Sequence, residues 1–177
     1  MNNFQVTIKE PESLVLARFQ DCDPFGHLNN ARYIDYFLNA RQDQIVQHYN
    51  LRIPDNSQKA SWVVSKTQIA YVRPVQVMEE VLIRTRLIHF AETSLVVEGL
   101  MMDKEARHLK SIIWFEFVYI SLVNGRPAKH DNRLMDLFRS VAISGEYDPD
   151  GFNRRVEDVR LQLRTGSQND EAARTSS

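Results

Sequence analysis

The sequence predicts an α+β fold with one long helix placed early and a run of antiparallel strands behind it. Three observations carry this: a single extended helical period, four β-prone runs after it, and joints between those runs too short for crossovers. From Asn30 to about Tyr49, the residues Tyr33, Ile34, Phe37, Leu38, Ile45 and Tyr49 recur three and four apart, giving one broad apolar helix face. Such a helix is about five turns long. The runs WVVSKTQIAYV, EEVLIRTRLIHF, TSLVVEGLMMD and HLKSIIWFEFVYISLV are rich in β-branched and aromatic residues, which suit a half-buried pleated surface. Their joints are a break at Arg73-Pro74, the tight turn AET and the hairpin-sized loop DKEA. A parallel pair would need about a dozen connecting residues, so neighbouring strands are expected to be antiparallel.

Other elements follow in order. FQVTIKE alternates Phe4, Val6 and Ile8 with polar residues and reads as a strand, and SLVLARFQ is a second β-prone run reaching Asp21. The last strand closes at Asn124-Gly125, a turn signal, followed by Pro127. Asp131 can then cap a short helix that carries Leu134, Leu137, Phe138 and Val141 on one side. Residues 1–145 form one expected domain and 146–177 a polar tail. In that tail Val156, Val159 and Leu163 mark a short amphipathic helix, and the final dozen residues have little to bury and are expected to be disordered.

Composition excludes several classes. Of the 177 residues, 43% are hydrophobic and 25% charged, enough apolar material for one ordinary core. A net charge of -1 gives no bulk attraction to nucleic acid or to an anionic membrane, so neither is expected as a partner. The single cysteine, Cys22, excludes an internal disulfide and fits a reducing compartment. The start MNNFQVTIKEPES has no apolar stretch behind a basic cluster, and no run approaches the ~20 apolar residues of a membrane span. A soluble cytoplasmic protein is expected.

The chemistry concentrates between Arg18 and Arg41, in RFQDCDPFGHLNNARYIDYFLNAR. A strand ends near Gln20, a turn runs through Asp23-Pro24-Phe25-Gly26, and the long helix begins at Asn29 or Asn30. The first N–H groups of a helix have no internal partner and its dipole makes that end positive, so it can hold an anion or a developing oxyanion. A carboxylate beside it can serve as base or nucleophile toward a carbonyl held there.

Each residue also fits a plainer role. Asp21 and Asp23 suit Asx-turns, Asn29 and Asn30 suit N-caps, Gly26 suits a positive φ, and His27 suits a solvent-facing loop position. Asp21, Asp23 and His27 have no further ligand group elsewhere to support them as a metal set, and no metal is expected. Cys22 lies between two acids, which should raise its pKa and keep it from acting as a thiolate.

The run DCDPFGHLNNARYIDY, Asp21 to Tyr36, closely resembles the signature of hotdog-fold acyl-CoA thioesterases of the 4-hydroxybenzoyl-CoA thioesterase family. The resemblance extends to YVRPV, Tyr71 to Val75, and to NGRPA, Asn124 to Ala128, and covers most of residues 13–140. Glu79-Glu80 departs from the Gly-Asp that many relatives carry at that turn. The resemblance implies an antiparallel sheet wrapped around the long helix and homodimers or homotetramers with active sites at the subunit interface. It also implies hydrolysis of an acyl-CoA or acyl-carrier-protein thioester. Asp23 matches the catalytic carboxylate, as nucleophile or as base toward water, and the N–H near Asn30 matches the oxyanion donor. Gly26, His27 and Asn29 match positions that shape the loop and bind substrate. Tyr33 and Arg41 are expected in packing or an interface. A thioester has a good leaving group, so no cofactor is expected. Arg73, with Lys66, Arg84, Arg86, Arg107 and Lys110, is a candidate for meeting CoA phosphates, against the commoner role of such residues as a solvated face. The competing class is a hotdog module that binds acyl-CoA without turning it over, as sensor or scaffold. Hydration or dehydration of an acyl thioester is a weaker third.

Overall fold

In the computed structural model, residues 8–52, 59–143, 145 and 147–175 are described, with side chains as far as Gly166. Five strands form one antiparallel sheet: β1 (Glu12–Leu16), β2 (Ala60–Tyr71), β3 (Glu80–Phe90), β4 (Ser94–Asp103) and β5 (Leu109–Ser121). Their spatial order is β1-β3-β4-β5-β2, which leaves β1 and β2 at the edges. Helix α1 (Asn30–Tyr49) lies between β1 and β2 in sequence, and α2 (Asn132–Val141) and α3 (Phe152–Thr175) follow the sheet. The four predicted strand runs, the long helix and the Asp131-capped helix are all present. Asp131 accepts the Leu134 N–H at 2.8 Å. The strand expected over FQVTIKE lies mostly outside the described residues.

Strand period sorts the sheet into two faces. Thr85, Gly99 and Ile113 stand opposite one another across β3, β4 and β5, and so do Arg86, Glu98 and Trp114 one residue along each strand. Paired residues point the same way and successive ones point oppositely. The Gly99 face receives α1, and the Glu98 face receives α3. Nearly all of β4 is therefore buried, which explains its continuous apolar run where a one-sided strand would alternate.

Tyr33, Tyr36, Phe37 and Ala40 of α1 pack on Ile83, Met101, Ile113 and Phe115. Gly99 permits this closeness: an ideal Cβ there would stand 2.6 Å from Phe37 Cδ1 and 2.9 Å from Ile113 Cγ2. The buried face of α1 is shifted from the one read from apolar residues, since Gln44 is 1% exposed. Gln44 Nε2 donates to Ile83 O and Ser13 Oγ, and its Oε1 accepts the Thr85 hydroxyl, so burial leaves none of its groups wanting.

Two elements differ from expectation. β1 stops at Leu16, and a 3-10 turn covers Phe19–Asp21. Leu16 already faces Glu80, the first residue of β3; the Ala17 N–H still donates to Glu79 O and its carbonyl accepts the Met78 N–H, and the Arg18 N–H then turns away to Tyr36 Oη at 3.0 Å. Beyond residue 151 the chain forms a 24-residue helix where a short one was expected. Phe152, Val156 and Val159 are buried against Ile88, Leu100, Ile112 and Trp114. A buried ion cluster fixes it there. Glu98, whose side chain is 0% exposed, accepts from Arg86 Nη2 at 2.6 Å, from Arg155 Nε at 3.0 Å and from Trp114 Nε1 at 2.9 Å.

Candidate active site

The loop from Cys22 to Asn29 is held by its own backbone and by the strip Val75–Val77. Leu28 N–H donates to Val75 O and Val77 N–H to Gly26 O, both at 2.8 Å. Gly26 takes φ +78°, the left-handed conformation that glycine adopts without a Cβ clash. Glu79, at the position that departs from the family pattern, secures the strip from behind. Its Oε2 accepts the Gln76 N–H at 2.8 Å and its Oε1 pairs with Lys110 at 2.6 Å.

Asp23 does two things at once. Its Oδ1 accepts the N–H groups of Phe25 at 2.9 Å and His27 at 3.0 Å, the Asx-type turn expected as the plainer role. Among the described residues its Oδ2 makes no hydrogen bond. The residue also lines a cavity of about 240 Å³, shared with His27, Asn30, Tyr33, Tyr71 and Arg73. His27 contributes mainly through its backbone, donating to Asp23 Oδ1 and accepting from Asp23 N at 2.7 Å.

Asn29 and Asn30 divide the labour at the helix start. Asn29 is the cap: its side chain accepts the Ala31 N–H at 2.9 Å, and its own N–H donates to Asp21 O. Asn30 is the first helical residue, and among the described residues its N–H has no partner. That donor lies at the positive end of a 20-residue helix. Tyr71 Oη donates to Asn30 O at 3.0 Å, fixing the peptide next to it. Tyr71 stands edge-on to Tyr33 with ring centroids 5.1 Å apart, so the cavity has an aromatic wall. Helix period marks Tyr33 only as a packing residue and strand period places Tyr71 only at the end of a β-prone run; their meeting at the cavity follows from neither.

The remaining polar residues of the motif are structural. Asp21 accepts the Tyr36 hydroxyl at 2.9 Å and lies 3.5 Å from Arg32 Nε. Cys22 donates to Arg18 O at 3.3 Å. Burial, and then the charges of Asp21 and Asp23, push its thiol above the ordinary value; the direction is as expected, with burial the larger cause. Arg41 lies on α1 away from the cavity, donating to Thr85 Oγ1 at 3.3 Å. Among the described residues no three His, Cys, Asp or Glu groups gather closely enough to hold a metal.

Geometry separates the six basic candidates. Lys66, Arg84, Arg86 and Lys110 pair with Glu116, Glu12, Glu98 and Glu79. Arg73 and Arg107 have no carboxylate partner among the described residues. Arg73 is the one of these that lines the Asp23 cavity.

A family model for the thioesterase-like superfamily matches residues 17–138 of the 177. The chain belongs to the thioesterase-like superfamily. The match starts just behind β1 and stops within α2, so it takes in the Asp23 loop and leaves α3 outside. Among solved structures, the chain is similar to a DHNA-CoA thioesterase of Staphylococcus aureus, with 18% identity, TM-score 0.66, and 74% of this chain against 87% of that one. It is similar to the YbaW protein of Escherichia coli, with 20% identity, TM-score 0.62, and coverage of 73% and 97%. A thioesterase of Thermus thermophilus, solved with coenzyme A and zinc, shares 26% identity with TM-score 0.60, covering 72% of this chain and 96% of that one. These likenesses make the fold a hotdog fold, and the superfamily supports thioester hydrolysis in general. No curated protein is similar to it at a significant level.

Proposed function

We propose that this thioesterase-like chain hydrolyses an acyl thioester carried on coenzyme A or an acyl carrier protein, at the cavity between Asp23 and the start of α1. One observation carries the reading. A carboxylate oxygen and a helix-terminal N–H, both without partners among the described residues, belong to residues that line the same cavity. The carbonyl oxygen of the substrate accepts from Asn30 N–H, which stabilises negative charge as it develops; losing such a donor typically costs about 3 to 4 kcal/mol. Asp23 Oδ2 attacks the carbonyl carbon directly or takes a proton from an attacking water. The C–S bond then breaks and solvent protonates the departing thiolate; on the direct route the acyl group is left on Asp23 as an anhydride, which water hydrolyses to the free acid and the restored carboxylate. Tyr33 and Tyr71 wall the site, Gly26 and His27 hold its loop, and Asn29 caps the helix that presents the donor.

A homodimer or homotetramer with the site at a subunit boundary completes the proposal. The cavity of about 240 Å³ is below the roughly 300 to 1,000 Å³ usual for a small-molecule site. Phe25, in the same loop, is 84% exposed and Phe19 is 82% exposed, which suits contact with a second chain. The lone, part-buried thiol of Cys22 suits a reducing, cytoplasmic setting.

A panel of acyl-CoA and acyl-carrier-protein substrates with a thiol-detecting reagent tests the hydrolase. Thiol release is expected. The binding-module alternative is favoured by one observation, the use of Asp23 Oδ1 in its own turn; tight acyl-CoA binding with no thiol released would establish it.

A further inference from the structure

Helix α3 lies outside the residues that define the superfamily, yet it brings two charges to the border of the candidate site. Arg160 and Arg164, one turn apart on α3, line a cleft with Arg107 from the β4–β5 turn and Arg73 from the segment after β2. This cleft and the Asp23 cavity share Val72 and Arg73 as lining residues, so the two are contiguous. Like charges four apart on a helix repel, and that repulsion would be offset by an anion in a cleft lined by four arginines. The local carboxylates do not fill it. Arg160 pairs at 2.9 Å with Glu157, on its own helix. Asp103, which borders the cleft through His108, is committed to the His108 ring at 2.7 Å and to the N–H groups of Arg107 and His108. Among the described residues Arg73, Arg107 and Arg164 have no acidic partner. The chain as a whole carries -1, so the cluster is a local feature and not a share of general basicity.

We propose that α3 completes a phosphate-reading cleft in which Arg73, Arg107, Arg160 and Arg164 take the diphosphate and ribose phosphate of coenzyme A, so that the chain selects coenzyme A thioesters over carrier-protein thioesters. The placement of the thioester beside this cleft rests on the hydrolase reading of the Asp23 cavity. Planar guanidinium forks match phosphate oxygens two at a time. The enclosed space is about 20 Å³, so phosphates lie along its rim while the pantetheine arm passes Arg73 into the Asp23 cavity. A compact polyphosphate suits four charges converging on one cleft. The extended acidic helix of a carrier protein would need basic residues spread over a wide face.

Titration of the 177-residue chain with coenzyme A, dephospho-coenzyme A and pantetheine tests this without requiring turnover. The wild type should bind coenzyme A at least tenfold more tightly than dephospho-coenzyme A, and pantetheine more weakly still. The pair Arg160→Ala/Arg164→Ala should weaken coenzyme A at least tenfold and shrink its advantage over pantetheine, and Arg160→Lys/Arg164→Lys should recover part of the loss. In turnover, the Ala pair should lower the ratio of kcat/KM for acyl-CoA over acyl-pantetheine at least tenfold, mainly through KM. If circular dichroism shows the Ala pair misfolded, Arg164→Gln at its exposed position replaces it, with at least a threefold weakening expected. Equal coenzyme A affinity in wild type and folded variants, no preference over pantetheine, or turnover of carrier-protein thioesters alone would overturn the proposal. A wild type that binds coenzyme A as expected but releases no thiol from any substrate would instead overturn the hydrolase reading and leave the cleft standing.

Discussion

Asp23 Oδ1 accepts the His27 N–H at 3.0 Å, so a residue that lines the cavity is also the clasp of its own loop. The two duties can be separated by substitution. Asparagine keeps an oxygen for the Phe25 and His27 N–H groups but carries no charge and cannot act as a base. Asp23→Asn should therefore melt near the wild-type temperature and lose at least ~100-fold in kcat/KM. Asp23→Ala removes the clasp as well and should lose about 1 kcal/mol of stability in addition. Wild-type turnover by Asp23→Asn would leave the reaction without its acid.

Much of this site was legible before any coordinates, because its parts are local. An N-cap, a glycine turn and the acid before it sit within eight residues, and the chain direction alone brings them together. What lay hidden depends on register. That Tyr71 reaches Asn30 O follows from the chain's path out of β2, and that Arg160 and Arg164 meet Arg73 follows from α3 lying back across the sheet. The length and docking of α3 were missed for a chemical reason. Beside Phe152, Val156 and Val159, its anchor includes the polar set Glu98, Arg86 and Arg155, and apolar period is blind to charges that bury as a group. Gln44 escaped apolar period in α1 as well, because its neutral amide is buried with every group hydrogen-bonded.

Gly99 should tolerate no side chain while Phe37 lies over it. The Cβ of Gly99→Ala would meet Phe37 Cδ1 at 2.6 Å, and the ring has β3 to β5 beneath it, so relief requires α1 to lift. The expected cost is about 1 to 3 kcal/mol, the range for overpacking a tight core. Phe37→Leu alone should also destabilise, but the two together should cost less than their sum, because the smaller side chain makes room for the methyl. Urea unfolding of the four chains measures that coupling, and simple additivity would mean that the contact does not limit the approach of helix and sheet.

Glu98 should matter more to stability than an exposed ion pair, whose removal usually changes little. Its carboxylate is fully covered and answers Arg86, Arg155 and Trp114 together. Glu98→Ala would take the buried acceptor from Arg86, Arg155 and the Trp114 indole N–H, leaving Arg86 its Glu10 pair, and breaking a buried pair typically costs about 3 to 5 kcal/mol. Because Arg155 belongs to α3, the loss should fall first on that helix. Limited proteolysis should cut the variant within α3 before the rest of the domain, whereas Glu98→Gln, which keeps an acceptor oxygen, should be cut more slowly. Cleavage spread evenly over the chain in Glu98→Ala would show that the cluster does not tether α3.

His130 should make stability fall as pH drops. The ring is 7% exposed; its Nε2 accepts the Trp62 indole N–H at 3.0 Å, and its Nδ1 lies 3.1 Å from Ala91 O. This pattern requires the neutral ring with its proton on Nδ1, since a second proton would abolish the acceptor that Trp62 uses. Burial is the largest influence and pushes the His130 pKa below 6.5, while the Ala91 carbonyl and the charge of Asp131 pull it part of the way back. The unfolded chain therefore takes up the proton first. The contribution of His130 is complete above the unfolded value and is lost progressively as pH falls through about 6.5 toward the lower folded value. Between about pH 7.5 and pH 5.5 the wild type should lose stability in urea unfolding. His130→Gln, which can still accept from Trp62 but does not titrate, should start less stable and lose distinctly less over the same interval. Equal slopes in the two chains would move the acid sensitivity to some other group.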